Sequence, residues 1–170
     1  MKRVMVVVGC LVVGAPWARA ESGKAVIQAT AEGAAISGEA TLTETPEGLN
    51  VSVRVANVTP GKHGLHIHQY GACGDAGNAA GGHYNPHGVK HGLLPTDGFT
   101  GAHAGDLGNI DIGADGSGTL ELTLPELRLS GGEHSVGGHS VILHEKADDF
   151  GQPTGNAGGR IGCGVIAITS

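Results

Sequence analysis

Leu49-Asn50-Val51-Ser52-Val53-Arg54-Val55-Ala56 alternates large apolar residues with polar or small ones at a period of two. That is the pattern of a strand with one buried face. Thr119-Leu120-Glu121-Leu122-Thr123-Leu124 repeats it, and turn formers separate such runs: Pro46-Glu47-Gly48, Thr59-Pro60-Gly61 and Asp115-Gly116-Ser117-Gly118. Strands are predicted near residues 24–31, 35–43, 49–58, 62–69, 106–112, 118–124, 139–144 and 160–168, and no stretch has a convincing helical period. Eight short strands with glycine-rich turns imply an all-β antiparallel sandwich or barrel. Residues 70–105 and 145–159 are glycine-rich without alternation, and connections of that length in a compact domain are usually functional or disordered.

Residues 1–20 read as a cleavable export signal. Lys2 and Arg3 precede an apolar run from Val4 to Val13, and Ala18-Arg19-Ala20 places cleavage after Ala20. The run is too short to span a bilayer. A competing acylation box at Val7-Val8-Gly9-Cys10 has too little apolar sequence before Cys10. Residues 21–170 then form a single domain, periplasmic or extracellular, in which Cys73 and Cys163 are the two remaining cysteines. An even count in an exported chain favours one disulfide. Losing Lys2, Arg3 and Arg19 leaves seven basic against sixteen acidic residues, which argues against a nucleic-acid partner.

All ten histidines lie between His63 and His144. Residues two apart on a strand face the same side, so His66 and His68 can reach one metal ion from one backbone. His144 ends another predicted strand, while His83, His91 and the pair His103/Asp106 fall in or beside the first long connection. Each is a weak signal alone. Together, six imidazoles and one carboxylate fill two four-ligand sites if one imidazole is shared, and a histidine can bind metal through either ring nitrogen.

The runs Gly64-Leu-His-Ile-His68, Gly82-His-Tyr-Asn-Pro86, Gly105-Asp-Leu-Gly-Asn109, His144-Glu-Lys-Ala-Asp-Asp149 and Gly155-Asn-Ala-Gly-Gly-Arg-Ile-Gly-Cys-Gly164 closely resemble the copper,zinc superoxide dismutases, as an exported bacterial-type member. The resemblance covers essentially all of residues 21–170. It implies a flattened eight-stranded Greek-key β-barrel with two long functional loops. It implies one copper per chain on His66, His68, His83 and His144, and one zinc on His83, His91, His103 and Asp106, with His83 shared. Ligand chemistry agrees: four imidazoles suit copper, and three imidazoles with a carboxylate suit tetrahedral zinc.

By the same resemblance Asp148 hydrogen-bonds ligands of both metals, His66 and His91. Arg160 attracts and orients the anion beside copper, and His83 takes up and returns a proton during the copper cycle. Cys73 and Cys163 form the disulfide tying the ligand loop to the last strand. The implied activity is dismutation of superoxide to dioxygen and hydrogen peroxide, with no membrane span and with a homodimer as the possible assembly. His63 is expected to be a hydrogen-bonded structural residue, and His87, His134 and His139 to be exposed. The tract from Glu145 to Gly159 is shorter than in many eukaryotic relatives and lacks their acidic–lysine cluster. A copper-only dismutase would lack the zinc set formed by His91, His103 and Asp106. A copper-binding module without turnover would not need Arg160.

Overall fold

The computed structural model describes residues 20–169, so the expected export signal lies outside the described residues except for Ala20. Nine strands are present: β1 (Ser22–Ala29), β2 (Ser37–Thr45), β3 (Gly48–Ala56), β4 (Gly61–His68), β5 (Asp106–Ile112), β6 (Gly118–Leu124), β7 (Ser140–His144), β8 (Arg160–Val165) and β9 (Ala167–Thr169). They hydrogen-bond in the order β2-β3-β6-β5-β4-β7-β8-β1-β9. The pairing of β1 with β2 closes the first eight into an antiparallel barrel, leaving β9 as a short addition to β1. In this order β3 lies beside β6 and β7 beside β4. Each is the fourth strand of a Greek key, because β4, β5 and β6 pair consecutively between them.

Alternation along β3 sends Leu49, Val51, Val53 and Val55 inward and exposes Arg54. Opposite them stand Leu124, Leu122, Leu120 and Gly118 of β6. Ala25 and Ile27 of β1, Ala40 and Leu42 of β2, Ile110 of β5, and Val141 and Leu143 of β7 complete one continuous core. Closure leaves no long edge between β1 and β2 to pair with another chain, which an open sheet would present.

Two details depart from the predicted strands. The run expected at 160–168 is divided, because buried Ile166 leaves the ladder. Its N–H donates to the carbonyl of His139, and its own carbonyl accepts from Gly138. The first long connection also contains a helix, α1 (Leu94–Gly101). Pro95 suits its first turn, and the Asp97 carboxylate accepts from the N–H of Leu93 at 2.8 Å. Gly98, at φ 62°, interrupts it, so no helical period could develop in the sequence.

A second apolar cluster lies outside the barrel, where Ile142 and Cys163 meet Ala80 and Cys73 of the covering loop. Cys73 and Cys163 are joined by a disulfide with their Cα atoms 5.7 Å apart and 90 positions apart in sequence. For a loop of that length, chain entropy assigns the bond about 4–5 kcal/mol. Reduction should therefore lower the denaturant midpoint markedly, and Cys73→Ser should reproduce the loss. An unchanged midpoint after complete reduction would show that the loop is held by its other contacts.

Candidate metal centre

β4 and β7 place histidines where most strands place solvent-facing polar residues. From His63 to His68 every residue of β4 is buried, and so is every residue of β7. Leu65 and Ile67 point into the core beside Leu143 and Val141, which leaves His66 and His68 on the outer face with Ile142 and Ser140. The ladder between β4 and β5 shifts between Gly64 and His66, and that between β7 and β8 shifts between Leu143 and His144. Such bulges re-aim side chains, and both occur next to a histidine of the cluster.

The long loop returns to β4 through backbone bonds. Tyr84 donates to the Ile67 carbonyl at 2.9 Å, Gly105 donates to Tyr84 at 3.0 Å, and Ile67 donates to Gly105 at 2.9 Å. This threading brings His83, His103 and Asp106 against His66 and His68. It also requires glycine at 105, where any Cβ would stand 2.1 Å from the Ile67 carbonyl oxygen.

Two buried groups of four result: His66, His68, His83 and His144, and His83, His91, His103 and Asp106. Within each, the potential ligand atoms lie within 4.8 Å of one another. The Nε2 atoms of His68 and His144 are 3.3 Å apart, His103 Nδ1 is 3.4 Å from His83 Nδ1, and His103 Nδ1 is 3.2 Å from Asp106 Oδ1. Ligands about 2.0–2.1 Å from a tetrahedral ion stand roughly 3.3 Å apart, so the spacing fits metal ligation.

The ring nitrogens agree. His68 turns Nδ1 to the Gly81 carbonyl at 3.0 Å, and His66 turns Nε2 to Asp148 at 2.8 Å. The opposite atom, His66 Nδ1, is buried with no hydrogen-bond partner. His91 Nδ1 is likewise unpartnered, although it lies 2.9 Å from Asp106 Oδ2, because the two are not aligned for a hydrogen bond. Orphaned nitrogens aimed into a cluster of ligand atoms are what a metal ion would satisfy.

Two buried carboxylates organise the cluster. Asp148 reaches His66 at 2.8 Å and His91 at 3.0 Å, while its backbone N–H donates to Asn109 Oδ1 at 2.7 Å. Gln152 clamps the backbone of His91 from both sides, accepting from its N–H and donating to its carbonyl. Asp106 receives the backbone N–H groups of Gly92 and His103. Burial alone would raise both carboxyls, but the His103, His83 and His91 rings against Asp106, and the bonds from His66 and His91 to Asp148, hold both well below the usual carboxylate range. Burial pushes His68 down to about 2, His83 to about 4 and His144 to about 3. Burial also opposes the charge on His91, yet Asp106 and Asp148 overcome it and raise that ring to about 9.

Residues 36–166 match the family model described as copper/zinc superoxide dismutase. The chain belongs to the copper/zinc superoxide dismutase family. An extracellular superoxide dismutase [Cu-Zn] of Brugia pahangi is 37% identical over 79% of this chain and 71% of its own length. One of Caenorhabditis elegans is 44% identical over 69% and 55%, respectively. A superoxide dismutase [Cu-Zn] of Onchocerca volvulus is 39% identical over 82% and 94%. Among solved structures, the clock protein EA4 superposes with a TM-score of 0.79 at 35% identity, over 90% of this chain and 98% of that one. The activity that follows from membership is dismutation of superoxide, and the protein is an oxidoreductase. These relatives are nematode proteins, so the bacterial-type expectation rests on the sequence motifs alone.

The fold of this dismutase brings together all seven residues of the two expected ligand sets, and Asp148 touches the two histidines expected of it. Arg160 stands at the start of β8 and donates to the carbonyls of Gly77 and Gly81, the second of which also meets His68. His63 is buried between the carbonyls of His144 and Thr59. His87 is exposed as expected, but His134 and His139 are half-buried. His139 meets the His68 carbonyl at 3.0 Å and packs on Tyr84, because Gly138 and Gly137 bend the chain back over β4. Asn109 and Gln152 had no role in the sequence reading. Asn109 stands in a motif already singled out, whereas nothing local marks Gln152.

The depressed histidines set the acid behaviour of the metal-free protein. Below about pH 6.5 the unfolded chain binds protons at His68, His83 and His144 that the folded chain does not. Stability present above that pH is therefore lost as pH falls toward 4, at about 1.4 kcal/mol per pH unit for each ring. Denaturant midpoints of metal-free protein should fall from pH 7 to pH 5. Equal midpoints would mean that these rings are not held neutral.

Proposed function

We propose that His66, His68, His83 and His144 bind one copper and that His83, His91, His103 and Asp106 bind one zinc, so that two superoxide anions and two protons become dioxygen and hydrogen peroxide. The observation that carries this reading is the presence of His83 in both groups of four. Bound copper supplies a one-electron couple for both half-reactions, and zinc, which has no redox chemistry, supplies a fixed positive charge.

The chain's own residues do the rest. His83 is oriented by Asp106, which meets its Nδ1 at 2.8 Å and leaves Nε2 facing the other three histidines. In the metal-free chain burial keeps this ring neutral at physiological pH with its one proton on Nδ1 toward Asp106, so Nε2 offers a lone pair that could ligate copper or take up a proton and return it. Asp148 fixes the rings of His66 and His91 through their outer nitrogens, setting which nitrogen of each faces inward. Arg160 adds positive charge beside His68 and His144, lowering the proton affinity of both, and so offers an anion an attractive approach. Residues 1–20 serve in this reading as an export signal, placing residues 21–170 in a periplasmic or extracellular space.

His91→Gln should lose zinc while retaining copper, whereas His83→Gln should disturb both, as read by metal analysis of purified protein. Wild-type protein fully loaded with copper but never with zinc would end the two-metal assignment.

Arg160→Glu should lower the metal-normalised rate by roughly ten- to a hundred-fold at unchanged metal content, since it turns attraction into repulsion. Arg160→Lys should retain much of the rate, and Lys146→Ala should cost little because Lys146 is exposed and screened. Should Arg160→Glu keep the wild-type rate and salt dependence, Arg160 does not guide the substrate.

A further inference from the structure

Away from the buried cluster, a second group of ligand-capable side chains meets at the surface. His87 lies between His83 and His91 in the long loop, and Glu133 and His134 lie in the connection from β6 to β7. The Nε2 atoms of His87 and His134 are 2.7 Å apart across 47 positions of sequence. His87 Nδ1 is 3.6 Å from Glu133 Oε1, and one ligand atom from each of the three lies within 4.8 Å of the others.

Neighbouring residues fix this group. Phe99 of α1 stacks on His134, with ring centroids 3.7 Å apart and planes 6° from parallel. The Tyr84 hydroxyl donates to the backbone carbonyl of Glu133 at 2.8 Å, joining the two loops beside the group. Two neutral imidazoles at this distance can share a single N–H···N bond. A divalent ion with nitrogen ligands at about 2.0–2.1 Å would hold them roughly 3.3 Å apart, an opening of about 0.6 Å. Glu133 and His87 are both exposed, so water can complete the coordination.

We propose that His87, Glu133 and His134 form a third, surface metal site for a divalent transition ion that prefers imidazole. Copper(II) binds such donors more tightly than other first-row divalent ions and is the probe of choice. Two imidazoles with one carboxylate and open positions make a weaker, exchangeable site than either buried set. An ion there clamps the loop carrying His83 and His91 to the β6–β7 connection from outside. The site uses none of the buried ligands, so it stands or falls separately from their apportioning.

Protein already loaded with copper and zinc, dialysed against micromolar copper(II), should take up one further equivalent. Its electron paramagnetic resonance spectrum should show coupling to two imidazole nitrogens. The double variant His87→Gln/His134→Gln should lose that equivalent while retaining the first two metals and the dismutase rate. Glu133→Gln should weaken the extra copper several-fold and keep the two-nitrogen pattern. No further equivalent in the wild type, or one that persists in the double variant, overturns the proposal.

Discussion

Asp148 and Asp106 are the points through which the rest of this site is held. Six imidazoles are packed out of water at one face of a barrel, and each brings two nitrogens that need partners. Asp148 takes one nitrogen from His66 and one from His91, and backbone carbonyls take one from His68 and one from His144. What remains on each of these rings is a single nitrogen, and in every case the choice of nitrogen is made by the protein. His66 and His91 show the consequence most clearly, since both keep a buried Nδ1 without a partner. An unsatisfied buried group of that kind costs about 1–3 kcal/mol, which a metal bond would remove.

That arrangement asks for a scaffold with two usable faces. Closure of the barrel puts the hydrophobic core inside, so β4 and β7 are free to carry histidines outside. The outer face then has to be shielded, and the segment from Tyr70 to Gly105 does so. It is anchored by backbone bonds to Ile67, by the Cys73–Cys163 disulfide and by the small cluster around Ile142. Gly105 and Gly155 allow close approaches at the site. A Cβ at 155 would come 1.9 Å from Asp148 Oδ1, and the backbone there has φ 77°, which other residues rarely adopt. Support for the ligands is thus built into loop backbone as much as into side chains.

The barrel was legible because alternation along β3 and β6 reports one buried face, and closure only changes which strands meet. β4 was harder to place physically. It is buried on both sides, and its histidines would suit a solvent-facing strand equally well. Only their joint occurrence with His83, His91, His103, Asp106 and His144 identifies the outer face as a site. α1 escaped notice because Gly98 breaks its period from within, and Ile166 because its place is set by contacts with His139 and Gly138, distant in sequence. Gln152 belongs to the same class, since its clamp on His91 spans 61 positions. The convergence of His87 on His134 is of this kind too, and no spacing rule reaches across 47 residues between loops.

Charge distribution decides how an anion approaches so acidic a chain. Among the described residues, Lys24, Lys62 and Arg128 are paired with Glu39, Asp111 and Glu44, and their fields are largely cancelled where they stand. Arg160 is in no such ion pair. Its two hydrogen bonds go to backbone carbonyls, which orient the guanidinium without neutralising it. It is also half-buried, and a charge with protein on several sides is less screened by salt than one on the open surface. Steering of an anionic substrate by local positive charge is general to enzymes of this kind. Under the proposed function such steering would originate here in an uncompensated cation beside His68 and His144, within a molecule whose net charge is negative.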